Sequence, residues 1–219
     1  MKKITDLPIN LKTTEIIHLL GGGGVTIKKS PPQRMLNDIQ RLKKLALSLI
    51  QPQAIYEKIP STQLSPKRLF NRSEITYLSV CTIGKKLEER CKELMIEGKM
   101  ALSVTLDAIA SVAAEEVAKA TNKIILEEMK RTHPRLNYTH RFSPGYCTWP
   151  LGEGQEMIFN LLPTKCIGVE LNESMMMVPR KSVSFAINFG EEIDKMLGLR
   201  ICEECEIKDC PFRRRPKKE

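Results

Sequence analysis

The chain has 219 residues, of which 42% are hydrophobic and 28% charged, and its formal net charge is +9 at pH 7. This length and composition are typical of a folded protein with one sizeable domain, and they exclude a largely disordered chain. The excess of Lys and Arg favours an acidic partner, which would be nucleic acid, an acidic protein or an anionic ligand.

The sequence predicts neither a signal peptide nor a membrane span. The first ten residues, MKKITDLPIN, contain lysines but no apolar core of the kind that a secretory signal needs. The most apolar stretch, MALSVTLDAIASVAAEEVAKA, carries Asp107, Glu115 and Glu116, and this indicates a buried helix. Seven cysteines without a signal peptide favour the reducing cytoplasm, which we expect as the location of the protein.

Two helices and two strands are predicted in the first half of the chain. A short helix is expected over TTEIIHLL, with Thr13 or Thr14 as its N-cap and the glycines at 21–24 ending it. A longer helix is expected in PPQRMLNDIQRLKKLALSLIQPQ, where apolar residues recur every three or four positions. AIYEKIP and EITYLSVCTIG predict strands, and the alternation in the second indicates that it is half-buried.

The second half mixes helices and strands. KKLEERCKELMIEGK predicts an amphipathic helix, the apolar stretch after it predicts a long helix to about Met129, and GQEMIFNLLP predicts a short one. CIGVELNES and SVSFAINFG alternate apolar and polar residues, and we interpret them as two strands of a hairpin-like unit. Because no regular βαβ rhythm is present, the fold class is predicted as α+β. Residues 1–195 are expected to form one domain, followed by a short Cys-rich basic tail over 196–219.

The stretch RFSPGYCTWP, which begins at Arg141, is the strongest candidate for a binding site. Arg141 offers a planar fork of donors that fits a carboxylate or a phosphate. Pro144 restricts the backbone, and Gly145 lets a ligand approach it closely. Tyr146 and Trp149 could stack on a flat or cationic group. A surface loop held by one Arg is the alternative interpretation of the same residues.

RFSPGY and the later run GVELNESMMMVPRKSVSFAINFG together resemble the activation domain of cobalamin-dependent methionine synthase. That family has an Arg-x-x-Pro-Gly-Tyr corner and, further on, a strand leading into Thr-Glu-Ser, a Met, a Pro and Ser-Val-Ser. The segment from ITYLSVCTIGKK onward resembles the short, free-standing members of the family, and the resemblance covers residues 1–195. The residues that match the later motif are Asn172, Glu173, Ser174, Met177, Pro179, Ser182, Val183 and Ser184.

The resemblance implies a C-shaped α+β domain with a bent antiparallel sheet packed with helices. It implies that the chain binds S-adenosylmethionine in a shallow groove and docks on a cobalamin-binding protein. There it would support the reductive, S-adenosylmethionine-linked remethylation of cob(II)alamin, as an accessory or reactivation protein for a corrinoid (vitamin B12) dependent methyltransferase. By motif, Arg141 would hold the ligand's carboxylate, Ser143 would contribute backbone contacts and Tyr146 would pack on the ligand. The expected binding residues are completed by Pro144, Gly145 and Glu173.

The chain departs from the family's pattern where acidic residues are expected. The family's Glu six residues before the motif Arg is Arg135 here, and its Gly after Ser-Val-Ser is Phe185. Its Glu on the preceding helix aligns with residues 111–112, while Glu115 and Glu116 are offset. Acids near a sulfonium stabilise its charge. These departures therefore favour, as an alternative, a non-catalytic subunit that binds the corrinoid protein without S-adenosylmethionine.

The run ICEECEIKDCPFRRR predicts a metal centre. It places Cys202, Cys205 and Cys210 at a spacing that suits a [4Fe–4S] cluster or zinc, with Cys166 or Cys147 as the fourth ligand. Neighbouring acids would repel three thiolates unless a cation or cluster neutralised them. A cluster is favoured over zinc because a reductive partner in corrinoid chemistry would use an electron relay. A redox dithiol and unliganded cysteines are the alternatives.

A zinc-bearing, basic nucleic-acid binder is a further hypothesis, suggested by the net charge and the tail FRRRPKK. Aromatic residues make up only 5% of the chain, and neither a helix-turn-helix nor a zinc-finger His pair is found. Nucleic acid is therefore not the partner that we expect.

Overall fold

The computed structural model describes residues 1–21, 31–146, 149–195 and 197. Two 3₁₀ turns, Ser61–Gln63 and Thr164–Ile167, accompany six helices and seven strands in this part of the chain. The helices and strands are β1 (Lys2–Thr5), α1 (Thr13–Leu20), α2 (Gln33–Leu49), β2 (Gln53–Ile59), α3 (Lys67–Phe70), β3 (Ile75–Thr82), α4 (Lys86–Ile96), α5 (Met100–Thr132), β4 (Asn137–Tyr138), α6 (Leu151–Leu161), β5 (Glu170–Leu171), β6 (Met177–Val178) and β7 (Ser182–Gly190).

A five-stranded antiparallel sheet in the order β1-β2-β3-β7-β4 forms the centre of the fold. β3 pairs with β7 over its whole length and with β2 over residues 76–82, so that Leu78 lies opposite both Glu57 and Ala186. β5 and β6 form a separate two-stranded hairpin. The predicted α+β class, with an antiparallel sheet packed with helices, is confirmed.

Apolar side chains cover both faces of the sheet. One face, with Tyr77 and Phe185, packs against α5, and α1, α2 and α4 pack in turn on α5. The other, with Leu78 and Ala186, packs against α6 and the core around it. Every residue of β3 is therefore buried, and the prediction of a half-buried strand is wrong. Its hydroxyl residues Thr76, Ser79 and Thr82 are buried because small hydroxyls bond inside the core, as where Ser79 Oγ donates to the backbone oxygen of Ile55 at 2.9 Å.

The long helix α5 lies across the first of these faces. Small buried residues let α1, α2 and α4 pack closely against it. Within the described part of the chain, no helix has the length and apolar character that a bilayer crossing requires. The small residues of α5 are Ala108, Ala110, Ala113, Ala114 and Ala118.

Two local predictions are wrong. Thr13 is the first residue of α1, and the N-cap is Lys12, which makes no side-chain capping bond. CIGVELNES is not one strand, because residues 164–167 form a 3₁₀ turn that ends at Gly168 with φ of 68°. The short strand β5 that follows pairs with β6, whereas β7 pairs with β3 and β4. β7 is buried on both faces, with Phe185 and Ile187 on one and Ser184 and Asn188 on the other, and this burial follows from its interior position in the sheet.

Candidate functional site

The stretch from Arg141 forms a corner between β7 and α6. The backbones of Phe142 and Ala186 exchange two hydrogen bonds of 3.1 and 2.8 Å, which places Arg141 beside β7. Gly145, with φ of 88°, makes the turn, and its N–H donates to the backbone oxygen of Trp149 at 2.8 Å. A residue with a Cβ would be strained in this conformation.

Buried aromatic rings hold the corner in place. The rings of Phe70, Phe142 and Trp149 contact one another with centroids 5.4–5.9 Å apart. Pro144 is also buried, against Gly154 of α6. Trp149 is thus a core residue, and the prediction that it stacks on a ligand is wrong. Its indole Nε1 is buried and has no hydrogen-bond partner among the residues described.

The guanidinium of Arg141 lies between α5 and β7. Its Nη2 donates to Oε1 of Glu115 in α5, and its Cζ lies 5.7 Å from the ring centroid of Phe185 in β7. The side chains of Arg141 and Glu115 are 14% and 31% exposed, so the ion pair is largely shielded from solvent. Partial exclusion of water makes such a pair stronger than one on an open surface. We call Arg141, Glu115 and Phe185 the α5–β7 site.

Glu115 continues a polar stripe on α5. Asp107, Ser111 and Glu115 recur every four residues and therefore lie on one helix face. Lys181, just before β7, donates from Nζ to Asp107 Oδ2 at 2.9 Å and to Ser111 Oγ at 2.8 Å. Two cation–carboxylate contacts thus connect α5 to the β7 side of the fold, at Lys181 and at Arg141.

Exposed apolar residues lie at the corner and on the elements beside it. A Cβ on Gly145 would lie 3.3 Å from Leu151 Cδ1, and one on Gly152 would lie 3.9 Å from Met175 Cγ. The corner, the first turn of α6 and the loop between β5 and β6 are therefore adjacent. We call the exposed large apolar residues of the corner, of α6 and of the β5–β6 hairpin the apolar rim, and they are Tyr146, Leu151, Met176 and Val178.

The structure brings together most of the predicted binding residues. Residues 141, 143, 144, 145 and 146 share the corner, with Ser143 half-buried and Tyr146 exposed. Glu173 lies instead in the exposed loop between β5 and β6. That loop is shaped by Asn172, whose Oδ1 accepts hydrogen bonds of 3.0 Å from the backbone N–H groups of Ser174 and Met176.

Cys81 of β3 lies close to the ion pair but is buried. Burial raises the pKa of its thiol to about 11, against the opposing effects of hydrogen bonding with Thr121 and Ser79 and of the Arg141 charge. The thiol therefore stays protonated at neutral pH and is a poor nucleophile.

The predicted metal centre falls largely outside the described residues, which include none of Cys147, Cys202, Cys205 and Cys210. Within the described ranges, no three His, Cys, Asp or Glu side chains cluster closely enough to hold a metal ion. Cys166 is exposed on its 3₁₀ turn, where its backbone oxygen accepts a hydrogen bond of 2.7 Å from Lys3 Nζ. The metal centre stays a prediction.

A second titratable cluster lies near the C-terminal end of α5. The hydroxyls of Tyr56 and Tyr77 donate to Glu128 at 3.0 and 3.4 Å, and Lys2 Nζ lies 2.8 Å from the same carboxylate. Burial alone would raise the pKa of Glu128, but hydrogen bonds from Lys2 and Tyr56 outweigh it and lower that pKa. An open cavity of about 640 Å³ borders the cluster. Because the carboxylate is fully engaged, we interpret the cluster as structural.

Residues 71–214 match the family described as "Vitamin B12 dependent methionine synthase, activation domain". The chain belongs to this family. The predicted family is thereby confirmed, and the matched range contains every residue of the α5–β7 site and of the apolar rim.

Among solved structures, the chain is similar to one described as "Crystal Structure of the MetH Reactivation Domain bound to AdoHcy". The identity is 16% and the TM-score 0.59, over 88% of this chain and 79% of that chain. At this identity the similarity establishes the fold. No curated protein sequence matches the chain significantly.

Sequence reasoning missed Glu115 as the partner of Arg141. Alignment to the family placed the expected acid at residues 111–112, whereas the structure places Glu115, about one turn further along α5, at the guanidinium. The available signal was the four-residue spacing of Asp107, Ser111 and Glu115. The position of Arg141 beside β7 depends on the pairing of segments that are distant in the chain. Residue spacing in the sequence does not indicate such pairing.

Proposed function

We propose that this chain is a reactivation protein for a corrinoid-dependent methyltransferase and that the α5–β7 site binds the amino-acid end of S-adenosylmethionine. The observation that carries the proposal is the contact of Arg141 with Glu115 above the ring of Phe185. An Arg fork can donate two parallel hydrogen bonds to a carboxylate, and a Glu beside it can accept from an ammonium group. Such a pair complements both charges of a free amino acid, and S-adenosylmethionine carries both.

The surroundings of the pair also suit a sulfonium ligand. A positively charged sulfur is stabilised by a nearby carboxylate and by the face of an aromatic ring. Glu115 offers the first, and Phe185 and the exposed ring of Tyr146 offer aromatic surface. The similar MetH domain has AdoHcy bound, which is the thioether left when S-adenosylmethionine loses its methyl group.

We assign the apolar rim to the corrinoid-binding partner, because it provides exposed apolar side chains at and beside the corner, including the adaptable Met176. In this proposal the chain holds the methyl donor against the partner's cobalamin. An external one-electron donor reduces cobalt(II) to cobalt(I), which takes the methyl group from the sulfonium and leaves S-adenosylhomocysteine. The chain's residues orient the donor and supply no general acid or base.

Calorimetry with S-adenosylmethionine tests the ligand part of the proposal without the partner. Arg141→Gln should weaken binding at least about tenfold, because it removes charge-assisted hydrogen bonds. Arg131→Gln is the matched control, since Arg131 is an exposed Arg sixteen residues beyond Glu115 on α5, about 24 Å along the helix axis, and it should leave the affinity unchanged. Equal affinities for wild type and Arg141→Gln would show that the ligand does not use this site.

A reactivation assay tests the role with the partner. The chain is mixed with a corrinoid protein loaded with cob(II)alamin, a reductant and S-adenosylmethionine. Methylcobalamin should form faster with the chain than without it. No acceleration with any corrinoid partner would contradict the proposed function.

The same ion pair favours a second candidate, a docking subunit that holds a corrinoid protein without binding S-adenosylmethionine. Arg141 is already paired with Glu115 inside the chain, so that a ligand carboxylate must displace an internal one. The family's acid before the motif is also replaced by Arg135. Binding of a corrinoid protein together with no heat from S-adenosylmethionine would establish this alternative.

The C-terminal tail remains a separate prediction, as does the division into residues 1–195 and 196–219. Anaerobic purification followed by a spectrum and metal analysis tests it. Iron with sulfide would make Cys202, Cys205 and Cys210 part of an electron relay for the reduction step. Zinc would indicate a structural tail.

A further inference from the structure

Four large apolar side chains are exposed at the tip of the hairpin that α4 and α5 form. Gly98, with φ of 72°, reverses the chain between the two helices. On either side of it, Met95 is 51% exposed, Ile96 87%, Met100 54% and Val104 52%. We call these four residues the hairpin-tip patch.

The patch belongs to a well-packed part of the fold. Leu94 and Leu106, on the inner faces of the two helices, are buried in the core. Across the turn, the backbone N–H of Lys99 donates to the oxygen of Leu94 at 2.8 Å, and that of Gly98 donates to Met95 at 3.0 Å. Single exposed apolar residues are ordinary, but four on one fixed turn form a surface that indicates an interaction site.

The charged residues around the patch neutralise one another. Arg90 Nη1 donates to Glu93 and to Glu97 at 2.8 Å each, and Lys99 Nζ donates to Glu97 at 2.7 Å. Residues 89–104 contain equal numbers of acids and bases, so this surface has no net charge in a chain that carries +9. Its ionisable residues are Glu89, Arg90, Lys92, Glu93, Glu97 and Lys99.

We propose that the hairpin-tip patch is the contact between two copies of this chain, related by a two-fold axis. In such a dimer the same surface meets itself, so its charges must not repel their own copies. Most of a strongly basic surface fails that condition, whereas the hairpin tip has paired charges around an apolar centre. A strongly acidic partner would be drawn to the basic remainder of the chain.

The inferred dimer leaves the α5–β7 site accessible. Glu115 follows Val104 by three turns of α5, which is roughly 16 Å along the axis at the helical rise per residue. The inference is therefore independent of the proposed function, and neither outcome of the ligand experiments bears on it.

Sedimentation velocity of the full chain under reducing conditions tests the dimer. The mass obtained for the wild type should be twice the chain mass of 24.9 kDa. Val104→Glu places like charges opposite each other and should raise the dissociation constant about a hundredfold. Val178→Glu is the matched control, because Val178 is 50% exposed on the apolar rim, and it should leave the dimer intact.

Three results would overturn the inference. One is a wild type that remains monomeric at about 100 µM, where a specific contact of ordinary strength is occupied. Another is a dimer that Val178→Glu dissociates. The third is a dimer that survives both Val104→Glu and Ile96→Glu, each checked for a native circular dichroism spectrum. Because Ile96 is the most exposed of the four residues, its variant also serves if Val104→Glu does not fold.

Discussion

Gly154 lies so close to Trp149 that a Cβ atom on it would be 2.6 Å from the indole Nε1. The same Cβ would be 2.7 Å from Cβ of Pro144, and real Cβ contacts are essentially never shorter than 3.0 Å. The corner that presents Arg141 and Tyr146 therefore lies directly on the first turns of α6. The position of the candidate site thus depends on a residue that has no side chain of its own.

Gly154→Ala is expected to destabilise the fold. The methyl group would force Trp149 and Pro144 away from α6, and overpacking of this kind costs about 1–3 kcal/mol. The higher helix propensity of Ala offsets at most about 1 kcal/mol of that cost. Urea denaturation should show a lower free energy of unfolding. Ligands should also bind more weakly at the corner.

Gly152→Ala is the control for this prediction. It lies on the same helix, and the new Cβ would meet only Met175 Cγ at 3.9 Å, an ordinary contact. This variant should be as stable as the wild type or more stable by up to about 1 kcal/mol. Equal effects of the two substitutions would show that helix propensity, and not close packing, determines the outcome.

Asn188→Ala is expected to lower the free energy of unfolding by about 2–4 kcal/mol. Asn188 is buried in β7, where its Nδ2 donates to the backbone oxygen of Leu69 at 2.6 Å and its Oδ1 accepts from Thr76 Oγ1 at 2.8 Å. Ala removes both bonds and leaves a cavity. Asn160→Ala on the exposed side of α6 is the control and should change stability little. Similar losses in urea denaturation would contradict the buried network as the cause.

The sequence predicted the strands and helices better than their partners. The alternation in β3 and β7 and the apolar stripe of α2 are local patterns, so both types of element could be identified. A period of two marks a strand without naming its neighbour. β7 was therefore paired with the wrong segment, although Thr76 and Asn188, 112 residues apart, join β3 to it in the folded chain.

In the candidate site, too, the features with a local sequence signal were predicted and those that depend on tertiary packing were not. The Pro-Gly-Tyr corner was identified because backbone restriction and aromatic character are local properties of that stretch. Glu115 was not identified as the partner of Arg141, because their contact requires α5 to pack on the sheet at one particular position along its helix axis. Trp149 was assigned to a ligand because an indole suits both a core and a binding surface, and only packing decides between the two.

Raising the pH above about 10 is expected to destabilise the fold through Tyr77. Burial and the adjacent Glu128 carboxylate raise the pKa of the Tyr77 hydroxyl from its ordinary 10.0 to about 12. In the unfolded chain the hydroxyl ionises at its ordinary pKa. The unfolded state therefore binds fewer protons between these values, and stability falls as the pH rises through them.

Urea denaturation midpoints measured from pH 8 to pH 12 check the effect. This range extends about two pH units to either side of the ordinary tyrosine pKa. The decline should be shallower in Tyr77→Phe than in the wild type, because that variant removes one of the groups that titrate. Tyr138→Phe, at a more exposed ring, is the control and should follow the wild type. Parallel curves for all three proteins would exclude Tyr77 as a source of the alkaline instability.

Glu115→Gln distinguishes two roles of the acid at the α5–β7 site. If Glu115 contacts the ammonium or sulfonium group of the ligand, its loss weakens binding even though Arg141 is released. If Glu115 only competes with the ligand carboxylate for Arg141, its loss strengthens binding. Because a zwitterion needs an acceptor as well as a donor, we expect S-adenosylmethionine to bind about tenfold more weakly to Glu115→Gln.

Glu116→Gln is the control for this variant. Glu116 lies next along the chain but pairs with Lys119 at 2.8 Å, so calorimetry should find that Glu116→Gln binds S-adenosylmethionine with unchanged affinity. Tighter binding by Glu115→Gln would make Glu115 an internal competitor and would favour the docking subunit as the function of this chain.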